Sequence, residues 1–269
     1  MNYLVGFIGT GVMGSALARA VCQTAAPAGV LLANVPAEGA EKLSKELGCA
    51  WGDNLQVAAQ CRYIYLAVKP QVMKSVLTQI APVLKERTEP FVLVSMAAGL
   101  TIATLQDMLG FAAPVVRIMP NVAATVGKAV ILCACNDRVS PQEQQEFLHL
   151  TQAAGLCDLV PESLIDPAGS LTGCGPAFAF MAMQALADGA VACGVDRARA
   201  ARYAAMTLLG AAQLALESGE HFEKLKDSVC SPAGSTIEGV KALESLGLRD
   251  ALIQAVCASY RRNKELGNS

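Results

Sequence analysis

Short apolar runs alternate with helix-like segments over residues 1–160 of the chain. The predicted strands are Tyr3–Ile8, Val30–Ala33, residues 63–68, residues 91–95 and Val115–Met119, with Ala129–Cys135 and residues 157–160 as further candidates. The predicted helices between them are residues 15–23, Glu38–Leu47, residues 71–84, Ile102–Leu109 and residues 141–154. Such alternation, with strands that are apolar throughout, is typical of a parallel sheet covered by helices on both faces. We therefore predict an α/β fold with an N-terminal, Rossmann-type, doubly wound parallel sheet.

The pattern changes after residue 160, where no strand-like run remains. Helical periodicity is found in residues 177–193, 197–217, 235–246 and 249–266. Asp166-Pro167 predicts a further helix start, which the glycines and proline of residues 173–176 interrupt or delay. We therefore predict an all-helical C-terminal domain, with domain limits at residues 1–160 and 161–269.

A glycine-rich motif, G-x-G-x-x-G, follows the first predicted strand and opens the first helix. The first glycine permits a tight turn, the second lets the backbone approach a pyrophosphate, and the third allows close packing of helix on strand. The free N–H groups and dipole of a helix N-terminus favour the anion. The strand–turn–helix context favours a dinucleotide site over a glycine-rich turn without a ligand. The predicted contacts are Ile8, Gly9, Thr10, Gly11, Val12, Met13 and Gly14.

The end of the second predicted strand bears on the choice of dinucleotide. An acid there would hydrogen-bond the ribose 2′-OH of NAD and repel the 2′-phosphate of NADP. Asn34 occupies this position, and the first acid after it is Glu38. We therefore predict NADPH as the cofactor, contacted by Asn34, with NADH as the alternative. Lys42 could approach the phosphate, although an exposed helical lysine is the simpler interpretation.

Ligands of doubly wound sheets contact the loops at the carboxyl ends of the strands. Small side chains after residue 95 would let the backbone contact a flat nicotinamide. Lys69 could line this cleft or be a solvated loop cation, and Arg117 could bind a carboxylate or form a structural ion pair. The predicted cofactor contacts in these loops are Asn54, Ala67, Val68, Lys69, Pro70, Ala97, Ala98 and Gly99.

Composition narrows the class of protein. Hydrophobic residues make up 53% of the 269 residues and charged residues 16%, which excludes a disordered chain. The net charge of −2 offers no basic surplus for binding nucleic acid.

Mean hydropathy is high at +0.40, which raises the question of a membrane span. The longest uncharged run, residues 167–187, has glycines and prolines in its first half. It fits a loop followed by a buried helix better than a membrane span. The excess apolar surface indicates an oligomer interface.

The ten cysteines are scattered and never form C-x-x-C. The first residues lack the charged and apolar regions of a signal peptide, so we expect a cytoplasmic protein with reduced thiols. Cys133 and Cys135 could pair as metal ligands, but no second pair completes a site, and we predict no metal.

The segments FIGTGVMG, LAVKP, SMAAGL, RIMPN, LTGCGPAF and LKDSVCSPAGSTIEG run from Phe7 to Gly239. Together they resemble the pyrroline-5-carboxylate reductase family. The resemblance implies hydride transfer from NAD(P)H to the C=N carbon of 1-pyrroline-5-carboxylate, which gives L-proline in the last step of proline biosynthesis. It also implies a homodimer that forms through the helical domain and sometimes assembles further. The chain departs from the family's usual residues at Thr172 and Cys174 (both serine), at Ala233 and Ser235 (glycine and threonine) and at Val35 (arginine).

Residues 231–236 suit an anion site, because Ser231 can cap a helix that Pro232 begins. The N–H groups of Ser235 and Thr236 would bind the substrate carboxylate, and Gly234 would let the backbone approach closely. Thr236 is the candidate catalytic residue, because its hydroxyl could reach the ring nitrogen. The resemblance further implies that Glu162 contacts the nitrogen side of the substrate. Without the resemblance, residues 231–236 would be interpreted as an ordinary capped helix start. Glu162 would be interpreted as an acid at a helix N-terminus.

Two other functions fit parts of this pattern. A β-hydroxyacid dehydrogenase has a similar glycine-rich start, but it typically needs a lysine one helical turn beyond a later glycine-rich segment. Residues 177–181 contain no lysine. A non-catalytic NADP-binding regulatory protein would keep Gly9–Gly14 but would not need residues 231–236.

Overall fold

A computed structural model of the protein describes residues 3–267. Its strands are β1 Tyr3–Ile8, β2 Val30–Ala33, β3 Ala50–Gly52, β4 Cys61–Leu66, β5 Val92–Ser95, β6 Val115–Met119, β7 Ala129–Cys135 and β8 Gly155–Leu159. Its first helices are α1 Val12–Thr24, α2 Glu38–Leu47, α3 Asn54–Gln60, α4 Pro70–Glu86, α5 Ile102–Leu109, α6 Pro141–Thr151 and α7 Glu162–Thr172. The remaining helices are α8 Gly175–Ala192, α9 Arg197–Ser218, α10 Phe222–Ser228, α11 Ser235–Ser245 and α12 Leu248–Gly267.

The strands form one sheet in the order β3-β2-β1-β4-β5-β6-β7-β8. All neighbouring strands run parallel except β6 and β7, which are antiparallel. The predicted Rossmann-type sheet is thus confirmed, with one pairing that departs from the parallel pattern. The connection between these two strands, residues 120–128, contains only the 3₁₀ turn Val122–Val126 and is too short for a crossover helix.

Helices cover both faces of the sheet, because successive strand residues point to opposite sides. On one face, the rings of Phe7 and Tyr65 stack with their centroids 4.6 Å apart. Their chain neighbours Ile8 and Leu66 belong to the apolar cluster on the other face. This double burial explains why the strands read as continuous apolar runs.

Four elements differ from the sequence-based prediction. Strand β3 and helix α3 were not predicted, because they are three and seven residues long and lack a clear apolar period. Helix α10 was not predicted either. Helix α7 begins at Glu162 rather than at Asp166 and contains Pro167. Its side chain Ile165 is fully buried, so packing against the sheet outweighs the proline in the helix.

The chain divides into two compact units. The first contains the sheet and extends to Cys174, with the end of α12 from Tyr260 onward; the second is Gly175–Ser259. The division lies beyond the predicted limit at 160/161, because α7 packs on β6 and β7. Within the first unit, Asn263 of α12 donates a hydrogen bond to the Ser170 hydroxyl of α7 over 3.0 Å. The assignment of residues 1–160 to a dinucleotide-binding domain and of residues 161–269 to a dimerisation and substrate domain stays a prediction.

The second unit is helical and has a very small core of its own. Its buried apolar residues are Ala187 of α8 and Ala200 and Ala204 of α9. Large apolar side chains of the same unit are exposed, among them Met181 at 72% and Leu216 at 81%. A helical unit that buries only alanines leaves much apolar surface for another chain to cover.

A strained turn precedes α11 in this unit. Ala233 has φ of +57°, in the left-handed region that disfavours a Cβ. The turn is held by a 3.0 Å hydrogen bond from the Gly234 N–H to the Ser231 carbonyl.

We expect Ala233→Gly to raise the free energy of unfolding by about 0.5–1 kcal/mol, because relief of the strain exceeds the extra chain entropy of glycine in the unfolded state. Urea unfolding at one fixed protein concentration measures this. Gly219→Ala is the matched reverse change, at a φ of +63°. It should lower the free energy of unfolding by about the same amount. An Ala233→Gly variant no more stable than the parent would contradict the expectation.

Candidate functional site

The β1–α1 turn makes very close contacts with the end of β4. Gly9 has φ of +104°, and a Cβ there would lie 2.5 Å from the carbonyl oxygen of Ala67. A Cβ on Gly14 would lie 2.9 Å from the Ala67 side chain. A Cβ on Gly11 would meet nothing within 4 Å, so this glycine faces open space. The three glycines thus have the geometry that a pyrophosphate-binding turn requires.

The N-terminus of α1 is open to an anion. Gly11 is the N-cap residue, no side chain caps the helix, and no acid lies in its first turn. The Ser15 hydroxyl donates to the Thr10 carbonyl over 2.8 Å, which holds the turn against the helix. Uncapped N–H groups and the positive end of the helix dipole can bind a negatively charged group here.

The other predicted cofactor loops lie at the same edge of the sheet, because β2, β1, β4 and β5 are adjacent and parallel. The Ala67 N–H donates to the Ile8 carbonyl over 2.8 Å. Lys69 is the N-cap residue of α4, which begins at Pro70. Residues 97–99 follow β5, and Gly99 has φ of +77°. The fold thus brings these loops to the carboxyl edge beside the glycine-rich turn.

A pocket of about 410 Å³ lies beyond the end of β2. It contains the predicted Asn34 and Asn54, and also residues that sequence reasoning missed, notably Trp51 and Asp53. Asp53 and Gln56 form a capping box at the start of α3, a pattern that the sequence D-x-x-Q could have indicated. The lining residues are Asn34, Val35, Ala37, Trp51, Gly52, Asp53, Asn54, Gln56 and Gln79.

Arg117 on β6 forms a structural ion-pair cluster, one of the two roles considered for it. Its side chain is 3% exposed and lies 3.3 Å from Glu162 Oε1 and 2.5 Å from Asp166 Oδ1. The same Glu162 oxygen accepts a 2.7 Å hydrogen bond from the Ile102 N–H, the first residue of α5. The predicted substrate residue Glu162 therefore connects α7, β6 and the start of α5.

The predicted anion segment lies in the second unit and differs from the prediction in its helix start. Helix α11 begins at Ser235 with Gly234 as its N-cap, so the expected cap at Ser231 and start at Pro232 are wrong. The turn over Ser231–Gly234 precedes the helix instead of opening it. No side chain caps α11, and Ser235 and Thr236 are exposed. The first-turn N–H groups thus have no capping side chain.

Within residues 3–267, no three His, Cys, Asp or Glu side chains are grouped as metal ligands. No helix in the described chain is both long and apolar enough to cross a bilayer. All ten cysteines are free thiols.

A glycine-rich turn with these contacts, at the carboxyl edge of a doubly wound sheet, defines a Rossmann-type dinucleotide-binding protein. Family models agree: residues 4–99 match one described as NADP oxidoreductase, coenzyme F420-dependent, and residues 162–266 match pyrroline-5-carboxylate reductase dimerisation. The chain belongs to the pyrroline-5-carboxylate reductase family, as the following relatives show.

Curated relatives match over nearly the full length of both chains. The pyrroline-5-carboxylate reductase of Methanosarcina acetivorans is 41% identical, with 99% of this chain and 98% of the relative covered. That of Escherichia coli is 34% identical, with 100% of each covered. Neither the β-hydroxyacid dehydrogenase nor the non-catalytic alternative is favoured by these matches.

Solved structures give the same family. The pyrroline-5-carboxylate reductase of Coxiella burnetii matches with a TM-score of 0.91 and 30% identity, with 99% of each chain covered. The pyrroline carboxylate reductase of Plasmodium falciparum, solved with NADP bound, matches with a TM-score of 0.86 and 28% identity, with 99% of this chain and 98% of that one covered.

We expect Gly11→Val to abolish dinucleotide binding without unfolding the chain. The new side chain meets no protein atom within 4 Å of its Cβ position and occupies the space where the pyrophosphate would lie. Fluorescence titration with NADPH and NADH, together with thermal unfolding, measures both effects. Gly11→Ala should give a smaller loss. Normal dinucleotide binding by the valine variant would show that the pyrophosphate lies elsewhere.

We expect Arg117→Met to lower the free energy of unfolding by about 2–3 kcal/mol. Removing one partner of a buried ion pair usually costs more, but both carboxylates here are partly exposed. The control is Arg19→Met, which removes an exposed pair with Glu46 and should cost less than about 1 kcal/mol. Equal losses in denaturant unfolding would contradict a buried structural role for Arg117.

Proposed function

We propose that the protein catalyses hydride transfer from NADPH or NADH to the C=N carbon of 1-pyrroline-5-carboxylate, giving L-proline as the last step of proline biosynthesis. The observation that carries this proposal is the full-length similarity to curated pyrroline-5-carboxylate reductases. The β1–α1 turn supports it, because its uncapped helix start and open Gly11 fit a dinucleotide.

In this proposal, residues 8–14 bind the pyrophosphate, and Asn34 and Asn54 contact the adenosine end. Residues 67–70 and 97–99 line the nicotinamide side, where the small side chains of residues 97–99 let the backbone come close. The bound dinucleotide supplies the hydride. The NADP in the Plasmodium relative and the missing acid at residue 34 support NADPH. NADH remains the alternative, because Val35 stands where the family often has arginine.

The start of α11 is our proposed carboxylate site for the substrate. The N–H groups of Ser235 and Thr236 bind the carboxylate, and Gly234 leaves room for its approach. The Thr236 hydroxyl acts as the catalytic group that hydrogen-bonds the ring nitrogen. If the substrate binds as an iminium ion, its carbon is already electrophilic, and positioning can supply much of the rate.

Glu162 is proposed to contact the nitrogen side of the substrate. Its side chain is 32% exposed, which leaves part of the carboxylate open to a ligand. Its bonds to Ile102 and Arg117 give it a second role, because they hold the start of α5 beside the loop of residues 97–99.

A homo-oligomer built from dimers through the helical domain is part of the proposal. Residues 162–266 match the dimerisation region of the family. The second unit buries only small side chains of its own, while Tyr203, Met206 and Leu209 of α9 are exposed at 56–58%. A stable dimer interface would cover such a row of exposed apolar side chains.

A cytoplasmic location is also proposed. Its support is the set of ten free cysteines, two of which, Cys61 and Cys133, are buried. Free thiols are typical of a reducing compartment.

The reaction is tested by following NADPH and NADH oxidation with 1-pyrroline-5-carboxylate. The six-membered cyclic imine carboxylate serves as a second substrate, because one methylene is worth only about 1–3 kcal/mol of discrimination. A β-hydroxyacid such as 3-hydroxyisobutyrate, assayed with NADP⁺ and NAD⁺, tests the rival dehydrogenase. Oxidation of the hydroxyacid without reduction of either imine would refute the proposed reaction.

We expect Thr236→Val to lower turnover about 10–100-fold with little change in dinucleotide affinity, since the isosteric change removes only the hydroxyl. Thr236→Ser retains the hydroxyl and should keep most of the activity. Steady-state kinetics and a dinucleotide titration measure the two effects separately. Unchanged turnover in the valine variant would remove Thr236 from the mechanism.

A further inference from the structure

The pocket beyond β2 borders the glycine-rich turn on the side away from β4 and β5. The turn lies at the end of β1, and β2 is its neighbour in the sheet. Asn34, at the end of β2, joins the two by accepting a 2.9 Å hydrogen bond from the Thr10 N–H. In doubly wound sheets the adenosine ribose of a dinucleotide lies at the end of this strand. This pocket is therefore where the adenosine end would be bound.

We propose that this pocket selects NADH over NADPH, because its one charged lining residue is Asp53 and none of its lining residues is a cation. The inference rests on the proposed function. Of the two dinucleotides left open there, it selects NADH, although the missing acid at residue 34 and the NADP of the Plasmodium relative favour NADPH. A 2′-phosphate carries about −1.5 to −2 charges near pH 7 and needs cations or free N–H groups around it. A ribose 2′-OH, in contrast, can donate a hydrogen bond to a carboxylate.

Asn34 does not compensate for the missing cation. Its Oδ1 accepts from Thr10, and its Nδ2 donates to the Pro36 carbonyl over 2.8 Å. These partners fix the orientation of the amide, because a backbone N–H only donates and a carbonyl only accepts. A Cβ on Gly39 of α2 would lie 3.0 Å from Asn34 Nδ2, so the amide also has little room to turn. Asn34 thus positions the glycine-rich turn.

Asp53 places a fixed negative charge in the pocket. Its Oδ1 accepts from the Gln56 N–H over 2.8 Å, and its own N–H donates to Gln56 Oε1 over 2.9 Å. This reciprocal capping box holds the carboxylate in position while the residue stays exposed. The carboxylate comes from the β3–α3 turn and supplies the negative charge that is missing from the end of β2.

Helix α2 does not supply a strong anion site either. It begins at Glu38 and carries Glu38 and Glu41 in its first turn, which offset the positive end of its dipole. Lys45 forms an ion pair with Glu41 at 2.8 Å. Lys42, one turn into the helix, is the cation nearest in sequence to β2, and its contribution is measured with Lys42→Ala.

Trp51 provides a direct measurement of binding in this pocket. It is the only tryptophan of the chain and is 47% exposed on the pocket wall. An adenine base that contacts an indole ring stacks on it favourably and changes its emission.

The test compares two fragments, ADP-ribose and 2′-phospho-ADP-ribose, by Trp51 fluorescence and by calorimetry. ADP-ribose should bind at least tenfold more tightly to the parent protein.

Asp53→Asn should bring the two affinities within about threefold of each other, because asparagine still caps α3 but carries no charge. Asp107→Asn, an exposed charge removal on α5, is the matched control and should leave the ratio unchanged. Val35→Arg should favour the phosphorylated fragment.

Three results would overturn the inference: equal or tighter binding of 2′-phospho-ADP-ribose by the parent, a loss of that binding alone in Lys42→Ala, or no binding of either fragment. Neither fragment contains nicotinamide, so these affinities are independent of imine reduction. Selective ADP-ribose binding by a protein that reduces no imine would leave the inference standing and refute the proposed function.

Discussion

The carboxyl edge of the sheet depends on the close approach of the β1–α1 turn to the main chain of Ala67. Side chains at Gly9 or Gly14 would overlap Ala67, so the approach requires glycine at both positions. It lets the Ala67 N–H bond to the Ile8 carbonyl and brings the loop after β4 beside the start of α1. The loop after β5 follows, since the Met96 N–H bonds to the Leu66 carbonyl over 3.4 Å. A single steric constraint thus aligns three loops at one edge.

The buried Arg117 cluster extends this arrangement to β6, the strand beside β5, and to α7. A guanidinium at 3% exposure needs its charge and donors satisfied, and the carboxylates of Glu162 and Asp166 do so. Because Glu162 also accepts from Ile102, the same cluster fixes where α5 begins. Helix α7, which carries Glu162 and Asp166, therefore belongs to the unit that contains the sheet.

The second unit buries few of its own apolar side chains. Helices α8 and α9 meet through alanines, which allow close packing but bury little area. Their larger side chains are left on the surface, as is the uncapped start of α11. The exposed apolar side chains of this unit contribute to the high mean hydropathy of +0.40, and they are the kind of surface that a contact between subunits covers.

The sequence by itself determined the doubly wound sheet, the glycine-rich turn and the helical second half, because apolar periodicity and glycine stereochemistry act over a few residues. It could not determine the antiparallel β7 or the short β3 and α3, whose formation depends on the sheet they join. Nor could it bring Asp53 beside Asn34, or give Glu162 its partners Ile102 and Arg117. Those pairs join segments about 20 to 60 residues apart, and only tertiary packing decides which charges share a pocket.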